Sequence, residues 1–374
     1  MFADASSSRI QQRCMDSHED ENVSNVKPLL DVPAAVIRPP RSSRATGNVT
    51  LADVAKIAGV SPITVSRAVN RPELVTPATL AHVREVVERV GYVPNLLAGG
   101  LASKRTRLVA ALVPSITNSI FVDAVQALTD RLWDAGYQVL LGLSGYPEAR
   151  EDSLLAAVLS RRPDAIYLTG INRSAETRQR ILRARIPVVE TWDMTPTPID
   201  TLVGFSHEDI GEAVARHLVA KGHRTFGMLW ADDSRALARQ RGFLYELQVQ
   251  GVDDAQVVTV PAPSTLSLGR RGLAQLFERG ARPTAVFCSS DLLAHGALEE
   301  ARSRGLSVPR DLALVGFGDL EFTSHTTPAL STVRVDRAAI GRQAAELILA
   351  RIQGAAQAGT VVDVGFEIID RGTT

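Results

Sequence analysis

The chain has 374 residues, 45% of them hydrophobic and 22% charged, and a formal net charge of zero, which is ordinary for a globular protein of two or three domains. Two cysteines, Cys14 and Cys288, are too few for a disulfide framework and fit a reducing cytoplasm. No apolar run is long enough to span a membrane, and the N-terminus lacks the basic-then-apolar order of a signal peptide.

The charges are unevenly spread along the chain. Residues 1–48 carry six basic and six acidic side chains, residues 49–107 carry eight basic and four acidic ones, and the rest is mildly negative. A small basic module beside a larger acidic body suits nucleic-acid contact by the module alone. Residues 1–48 also show no apolar periodicity, which predicts a disordered tail; the alternative is that the true start is Met15 or a later residue.

Residues 49–93 contain the signatures of three short helices separated by very short connections. Thr50 with Asp53 forms a variant of the capping box, and Gly59 supplies the left-handed residue that ends the first helix. Two helices joined by a short glycine-containing turn predict a helix-turn-helix. The second and third helices each begin with a capping residue and a proline, Ser61–Pro62 and Thr76–Pro77.

From Leu108 onwards, apolar strands alternate with helices. This alternation predicts parallel sheets covered by helices on both faces, and the number of units favours two similar α/β lobes over one sheet. A ligand would bind in the crevice at the carboxyl ends of the strands. The predicted strands include 108–113, 138–143, 164–168, 186–191, 225–230, 257–260, 284–288 and 312–316, and the predicted helices include 120–135, 148–160, 175–184, 208–221, 235–250 and 268–279.

A series of stretches carries a wider pattern: LADVAKIAGVSPITVSRAVN, GYVPN, VPSITNSIFVDAVQAL, RGF, SSDLLAHGALEEARSRGLSVPRDLALVGFGD and TPALSTVRVD. In order and spacing this series resembles the LacI/GalR family of transcriptional regulators, from residue 49 to about residue 370. The stretches VVETWD, IDTLVGFSHEDIG and SITNSIF resemble the gluconate-operon repressor subgroup most closely. The resemblance implies a cytoplasmic, nucleoid-associated repressor of carbohydrate metabolism.

The resemblance also implies an architecture. An all-α helix-turn-helix DNA-binding head at 49–93 would be joined by a hinge at 94–107 to an α/β core at 108–374. The core would resemble periplasmic sugar-binding proteins, with two doubly wound lobes. The expected crossings between lobes lie near 193–196, 333–336 and 361–364, with 108–192 and 336–360 in lobe one and 196–332 and 363–374 in lobe two.

The second helix of a helix-turn-helix lies in the major groove, where its first residues meet base edges. Pro62 and Ile63 match the family's base-reading pair but are apolar, so they can pack on a thymine methyl and cannot donate hydrogen bonds. Arg67 is the best polar base reader, unless it is simply a solvated arginine. The DNA-binding residues predicted in the head are Thr50, Ser61, Pro62, Ile63, Thr64, Ser66, Arg67 and Asn70.

The stretch VPNLLAGGLASKRTR matches the family's hinge, which by resemblance becomes helical on DNA and wedges a leucine into the minor groove. Gly99 and Gly100 each weaken a helix by roughly 1 kcal/mol relative to alanine, so we expect coil without DNA. An ordinary flexible linker is the alternative. The hinge residues predicted to bind DNA or the partner hinge are Asn95, Leu97, Ala98 and Leu101.

Polar and aromatic patches are expected to converge on an effector cleft. A polyhydroxylated ligand needs carboxylates and amides for its hydroxyls and a flat apolar wall, and an acid also needs a cation. Arg235 and Arg239 are the candidate cations, which favours a sugar acid such as gluconate or 2-ketogluconate over a neutral sugar. The predicted effector-binding residues are Ser115, Asn118, Ile120, Phe121, Trp192, Asp233, Arg235, Arg239, Ser264, Asp291 and Asp319.

Structural roles are alternatives for several of these side chains. Asp291 could cap the helix that begins at Leu292, and Arg239 could be a structural or surface arginine. Trp192 could belong to the core or to a dimer surface. Asp319, which follows an apolar strand, is the strongest candidate for a ligand contact.

The resemblance further implies a homodimer on a palindromic operator, with a small-molecule effector and no membrane partner. The histidines show no metal-ligand spacing and the chain has no nucleotide-binding motif, so we expect no cofactor, no metal and no enzymatic activity. We expect the ligand to weaken operator binding, with corepression as the alternative. The sequence is also compatible with a sugar-binding protein without a DNA role, with a protein-binding head, and with an enzyme that uses Asp291 and His295.

Overall fold

A computed structural model describes residues 49–93, 105–117, 119–145, 148–253 and 255–374, and the chain divides into two compact units between residues 94 and 95. The first unit is helical and the second is α/β with two sheets, so the predicted fold class is confirmed. No helix in the described ranges is long and apolar enough to cross a membrane. Several predicted residues lie outside the described ranges: Asn95, Leu97, Ala98, Leu101 and Asn118.

The head consists of three short helices, α1 (Leu51–Ala58), α2 (Pro62–Asn70) and α3 (Pro77–Val90). The Thr50 hydroxyl accepts the amide of Asp53, and the Asp53 carboxylate accepts the amide of Thr50, so the predicted capping box is present. Gly59 ends α1 at φ +65°, a conformation that glycine adopts without steric penalty. The three helices share a small core formed by Val54, Ala55, Ala58, Val65, Ala68, Val83, Val86 and Tyr92.

The core is built from twelve strands and eight helices within the described residues. In chain order they are β1 (Leu108–Val113), α4 (Val122–Asp134), β2 (Gln138–Leu143), α5 (Glu148–Leu159), β3 (Ala165–Thr169), α6 (Ala175–Ala184), β4 (Val188–Thr191), β5 (Thr201–Gly204), α7 (His207–Ala220), β6 (Phe226–Ala231), α8 (Ser234–Val249), β7 (Ala255–Val260), α9 (Leu266–Glu278), β8 (Ala285–Cys288), α10 (Asp291–Ser303), β9 (Ala313–Phe317), β10 (Ser331–Arg334), α11 (Arg337–Gln353), β11 (Val361–Asp363) and β12 (Glu367–Ile369).

The strands form two six-stranded sheets with the same internal order. Lobe one runs β2-β1-β3-β4-β5-β11 and is parallel throughout, whereas lobe two runs β7-β6-β8-β9-β10-β12 and ends with an antiparallel pair. In lobe one, Val109 and Val113 of β1 pack on one face of the sheet, and Ala110 and Leu112 pack on the other. Helices cover both faces, which is why the strands are almost wholly apolar.

The first crossing between lobes differs from the prediction. β5 pairs in parallel with β4 and therefore belongs to lobe one, so the chain crosses after Gly204 and not near 193–196. The prediction was wrong because β5 is only four residues long and follows β4 without an intervening helix. The later crossings lie between β10 and α11 and between β11 and β12.

Candidate functional site

A cleft lies between the two sheets, at the carboxyl ends of their strands, and holds about 550 Å³ of empty space when the part open to solvent is included. Ligands of doubly wound sheets bind at this edge, because the strand order reverses there and leaves a crevice. Lobe one lines the cleft with Ile120, Phe121 and Trp192, and lobe two lines it with His207, Asp233, Arg235, Arg239, Ser264, Ser289, Ser290, Leu292, Phe317 and Leu320.

Most of the predicted effector residues meet in this cleft, but three described ones do not line it. Ser115 turns its hydroxyl to the hydroxyl of Thr117, 2.7 Å away. Asp291 and Asp319 are also absent from the lining. The predicted residues that the structure does bring together are Ile120, Phe121, Trp192, Asp233, Arg235, Arg239 and Ser264.

Asp319, the strongest candidate from the sequence, is held by two arginines. Arg334 Nε donates to its Oδ2 and Arg371 Nη2 donates to its Oδ1, each at 2.6 Å. Partial burial favours a higher pKa for Asp319, but these hydrogen bonds outweigh it and lower the pKa. The side chain therefore ties a loop of lobe two to the strand β10 and to the C-terminal segment.

Asp291 is a buried carboxylate that contacts Leu320, a residue of the cleft lining. It accepts hydrogen bonds from the Thr332 hydroxyl at 2.5 Å and from the amide of Leu320 at 2.8 Å. Burial raises its pKa to about 6, although both hydrogen bonds oppose that rise. The cap of α10 is Ser290, which accepts the amide of Leu293, so Asp291 is not the helix cap, and its side chain does not line the cleft.

Arg239 is built into lobe two. Its Nη1 donates to Nδ1 of His207 at 2.7 Å, its Nη2 donates to the backbone oxygen of Ser289 at 2.9 Å, and its guanidinium lies 3.9 Å from the centroid of Phe317. Burial lowers the pKa of Arg239 to about 10, which leaves it charged at neutral pH. Its Nε alone is buried without a hydrogen-bond partner in the described structure.

His207 is a cleft residue that the sequence analysis missed. Because arginine can only donate, Nδ1 of His207 must accept from Arg239, and Nε2 carries the proton that it donates to the backbone oxygen of Trp192 at 2.8 Å. Burial, together with the charges of Arg239 and Arg235, keeps the pKa of His207 well below its usual value. The ring is therefore neutral. Its only signal in the sequence is a position directly after the cap residue Ser206.

Arg235 lies one turn before Arg239 on α8 and is much less constrained. Its amide, with that of Ala236, is accepted by the Asp233 carboxylate, which caps the helix. Its guanidinium lies 5.4 Å from the centroid of Phe121, across the cleft, and makes no hydrogen bond or ion pair with any described residue. Its side chain is therefore the cation that remains available to a bound anion.

Aromatic rings form the lobe-one wall of the cleft. Phe121 meets Trp192 edge-on with centroids 5.0 Å apart, and Trp192 Nε1 donates to the hydroxyl of Tyr167 at 3.3 Å. Trp192 is almost fully buried and has a left-handed backbone with φ +71°, which is strained for a residue with a Cβ. Trp192 is thus both a core residue and one edge of the cleft.

The next residue, Asp193, is a carboxylate without hydrogen bonds. Neither oxygen accepts one from a described residue, and the His207 Nε2 atom stays 3.8 Å from Oδ1. Burial raises the pKa of Asp193 to about 6, against the opposing charges of Arg235, Arg239 and Arg173. At neutral pH the Asp193 carboxylate is therefore ionised, and no described residue donates a hydrogen bond to it.

The outward face of α2 is the candidate nucleic-acid interface of the head. Pro62, Ile63, Arg67 and Asn70 are exposed, and Ile63 retains 64% exposure although it is apolar. The backbone oxygen of Arg67 accepts the amide of Arg71, and the exposed side chain of Arg67 points away from the helical core. Ser61 and Thr50 use their hydroxyls as helix caps. Thr64 and Ser66 are half-buried beside the exposed face of α2.

No group of three or more histidine, cysteine, aspartate or glutamate side chains within the described ranges could hold a metal ion. The thiol of Cys288 is fully buried at the end of β8.

Comparison with known proteins identifies both units. The model of the family described as Bacterial regulatory proteins, lacI family, matches residues 50–95, and a Periplasmic binding protein-like domain matches residues 215–374. The HTH-type transcriptional regulator GntR of Pseudomonas aeruginosa is 39% identical over 336 residues, which covers 89% of this chain and 98% of that protein. GntR of Escherichia coli K12 is 32% identical, over 86% of this chain and 98% of that protein.

Solved structures agree with these relatives. A LacI-family transcriptional regulator from Silicibacter pomeroyi matches with a TM-score of 0.82 and 32% identity, covering 87% of this chain and 99% of that one. The lac repressor dimer bound to operator and the anti-inducer ONPF matches with a TM-score of 0.75 and 26% identity, covering 87% and 99%.

The resemblance inferred from the sequence is therefore confirmed along almost the whole chain. A helix-turn-helix head and a two-lobed core with a cleft at its strand ends stand together in one polypeptide. The chain belongs to the LacI family of bacterial regulatory proteins and is a DNA-binding regulator of transcription.

Proposed function

We propose that this regulator binds a sugar acid in the cleft, that it acts as a homodimer on a palindromic operator, and that the bound acid weakens operator binding. The observation that carries the choice of ligand is the guanidinium of Arg235, which lines the cleft without an acceptor among the described residues. A guanidinium holds a carboxylate through two parallel hydrogen bonds, which no neutral sugar can accept in the same way.

The remaining surface of the cleft suits the polyol part of such a ligand. Phe121 and Phe317 offer flat apolar faces, and the hydroxyl groups of the lining serines can exchange hydrogen bonds with sugar hydroxyls. The sequence resemblance to gluconate-responsive repressors supports the same class of ligand.

The coupling to DNA follows from where the chain enters lobe one. The Asp164 carboxylate accepts the backbone amides of Thr106 and Arg107, both at 2.9 Å, directly before β1. This anchor makes the incoming chain follow lobe one when a ligand draws the lobes together. A ligand that prefers one lobe arrangement then changes operator affinity by its differential affinity for the two arrangements.

The test is calorimetry of the full chain with D-gluconate, 2-keto-D-gluconate and D-glucose, combined with operator titrations at fixed salt on genomic duplexes selected by the protein. We expect at least one acid to bind, glucose to fail, and the acid to weaken operator binding. Arg235→Ala should weaken acid binding about 100-fold, because the ligand carboxylate is left unpaired.

The matched control is Arg241→Ala, on the same helix, whose guanidinium pairs with Glu208 at the surface. It should bind acid and operator like the wild type. Binding of glucose but neither acid, or equal losses in Arg235→Ala and Arg241→Ala, would contradict the proposed ligand class. Operator affinity that does not fall steeply with salt would contradict the role of the head.

A further inference from the structure

The two lobes also differ at their amino edges, the edges opposite the cleft, where the parallel strands of each sheet begin. In lobe two, basic side chains near this edge pair with carboxylates of the same lobe. These ion pairs are Arg302–Glu299, Arg304–Glu300, Arg310–Asp311 and Lys221–Asp370. Their charges are therefore balanced within lobe two.

The amino edge of lobe one carries exposed arginines without such partners. Arg161 and Arg162 lie between α5 and β3, and Arg185 lies between α6 and β4. Within the described ranges, no carboxylate or carbonyl oxygen accepts a hydrogen bond from these three guanidinium groups. Asp164, the carboxylate of the same α5–β3 connection, accepts backbone amides of the chain that enters β1. The charge of this edge is therefore left unbalanced.

The backbone at two of these arginines has a conformation that favours glycine. Arg162 has φ +51° and Arg185 has φ +53°, in the left-handed region where a Cβ is sterically unfavourable. Strands β3 and β4 occupy the same places in lobe one as β8 and β9 in lobe two, where the preceding connections use Gly280 and Gly305. Lobe one thus keeps arginine where glycine would be less strained, and such local strain points to a use for the side chain.

The chain that leads to the head joins lobe one at this same edge. The hydroxyl of Thr106, which lies shortly before β1, donates to the backbone oxygen of Arg162 at 3.0 Å. Residues 94–104 connect this point to the head, and a chain of that length spans at most about 40 Å. One helical turn of DNA is about 34–36 Å long. The covalent connection therefore keeps the edge close to any duplex that the head holds.

We propose that Arg161, Arg162 and Arg185 contact phosphates of the duplex that flanks the operator. Guanidinium groups form charge-assisted hydrogen bonds with phosphates, and such contacts add affinity without reading the base sequence. The amino edge of lobe one is then a second DNA-contact surface, additional to the head. This surface depends on DNA binding by the head and is independent of which ligand occupies the cleft.

The test removes the two strained arginines together, in the full chain with Arg162→Gly and Arg185→Gly. Glycine fits both backbone angles, so the variant should fold. Both proteins are titrated at 50 to 200 mM salt with a genomic duplex that the wild type selects, once trimmed to the footprint and once extended by about 10 base pairs on each side. The wild type should bind the extended duplex about 10-fold more tightly than the trimmed one, whereas the variant should bind both alike.

The salt dependence gives a second measurement on the same samples. On the extended duplex, the slope of log affinity against log salt should become less steep by about 1 for each phosphate contact that the variant loses. Arg162→Lys with Arg185→Lys keeps both charges and should keep the wild-type slope. If the glycine variant does not fold, Arg162→Asn with Arg185→Asn repeats the test, because asparagine also tolerates the left-handed region.

The matched control is Arg302→Gln with Arg310→Gln, which removes two exposed charges near the amino edge of lobe two. It should keep the wild-type slope and the preference for the extended duplex. Equal losses in this control and in the glycine variant would overturn the proposal, because net charge alone would then explain them. A glycine variant with the wild-type slope and duplex preference would also overturn it and would leave the edge to an acidic protein partner.

Discussion

The two lobes of the core have the same strand order and yet give the cleft opposite chemistry. Lobe two contributes the cations Arg235 and Arg239 and a group of serines, whereas lobe one contributes Ile120 and the rings Phe121 and Trp192. The comparison shows that a shared sheet topology places residues at the strand ends but does not decide what those residues do. Under the proposed function, lobe two would hold the charge of the ligand and lobe one would pack against its apolar face.

Within lobe two the comparison continues along a single helix. Arg239 is buried and bonded to the imidazole of His207 and the backbone of Ser289, while the guanidinium of Arg235 contacts the Phe121 ring and makes no hydrogen bond or ion pair with a described residue. Two arginines one turn apart therefore differ: Arg239 builds the wall of the cleft, and Arg235 is the one that we propose for the ligand.

The largest expected effect sharpens that contrast. Arg239→Ala leaves Nδ1 of His207 and the oxygen of Ser289 without their donors in a dry interior, and we expect it to lower the free energy of unfolding of the core by about 3 kcal/mol. Urea unfolding followed by tryptophan fluorescence measures this. Arg235→Ala should change the same quantity by less than about 1 kcal/mol. Similar losses for both variants would end the distinction between them.

Asp193 provides the second test, with the opposite sign. Its pKa is raised from 3.8 to about 6, so the folded state holds the proton more tightly and the charged form opposes folding. This penalty is absent below pH 3.8 and complete above about pH 6. Asp193→Asn should therefore stabilise the core at pH 7.5 by about 2 kcal/mol.

The gain from Asp193→Asn should shrink as the pH falls from 6 towards 4. Thermal unfolding of both proteins across this range checks it. A variant less stable than the wild type at pH 7.5 would mean that the Asp193 charge has a partner inside the fold.

The wall of lobe one gives a smaller effect. Phe121→Leu keeps an apolar side chain but removes the ring beside Trp192 and Arg235, and we expect sugar-acid affinity to fall about 5- to 10-fold. Calorimetry measures the loss. Phe277→Leu on α9, which removes the ring under Arg304, is the control and should leave the affinity unchanged. An unchanged affinity in Phe121→Leu would show that lobe one supplies no wall to the ligand.

The smallest expected effect lies in the helical head, outside the two lobes that are compared above. Thr50→Ala removes the capping box of α1 and should destabilise the head by about 1 kcal/mol, while Thr50→Ser should retain the cap. Hydrogen exchange of the amides of α1 measures this stability, and calorimetry should find an unchanged affinity for the acid. Faster exchange in the serine variant as well would assign the loss to something other than the cap.

Local signals in the sequence predicted much of this structure. The cap–proline pairs placed the starts of α2 and α3, and the helix predicted at 175–184 is α6 (Ala175–Ala184). Caps and apolar periodicity succeed because they act within a few residues of chain. The strand β5 was missed because four residues carry too little pattern to separate a strand from a loop.

The contents of the cleft were harder to predict because they depend on which partners meet across the fold. Asp319 follows an apolar strand as a ligand residue would, yet two arginines that lie 15 and 52 residues away in sequence take its oxygens. His207 enters the cleft only because the chain crosses the lobes just before it. The Asp193 carboxylate stands out because no described residue donates a hydrogen bond to it, and residue spacing in a sequence cannot show a missing hydrogen bond.

The three passages of the chain between the lobes also bear on how the protein is made. Lobe one needs α11 and β11, which are synthesised after the whole of β6 to β10, so its sheet stays incomplete until late in translation. Lobe two closes later still, with β12. The ribosome therefore releases both halves nearly finished together, and chaperones are expected to meet two open sheet edges at once rather than one completed lobe and one nascent one.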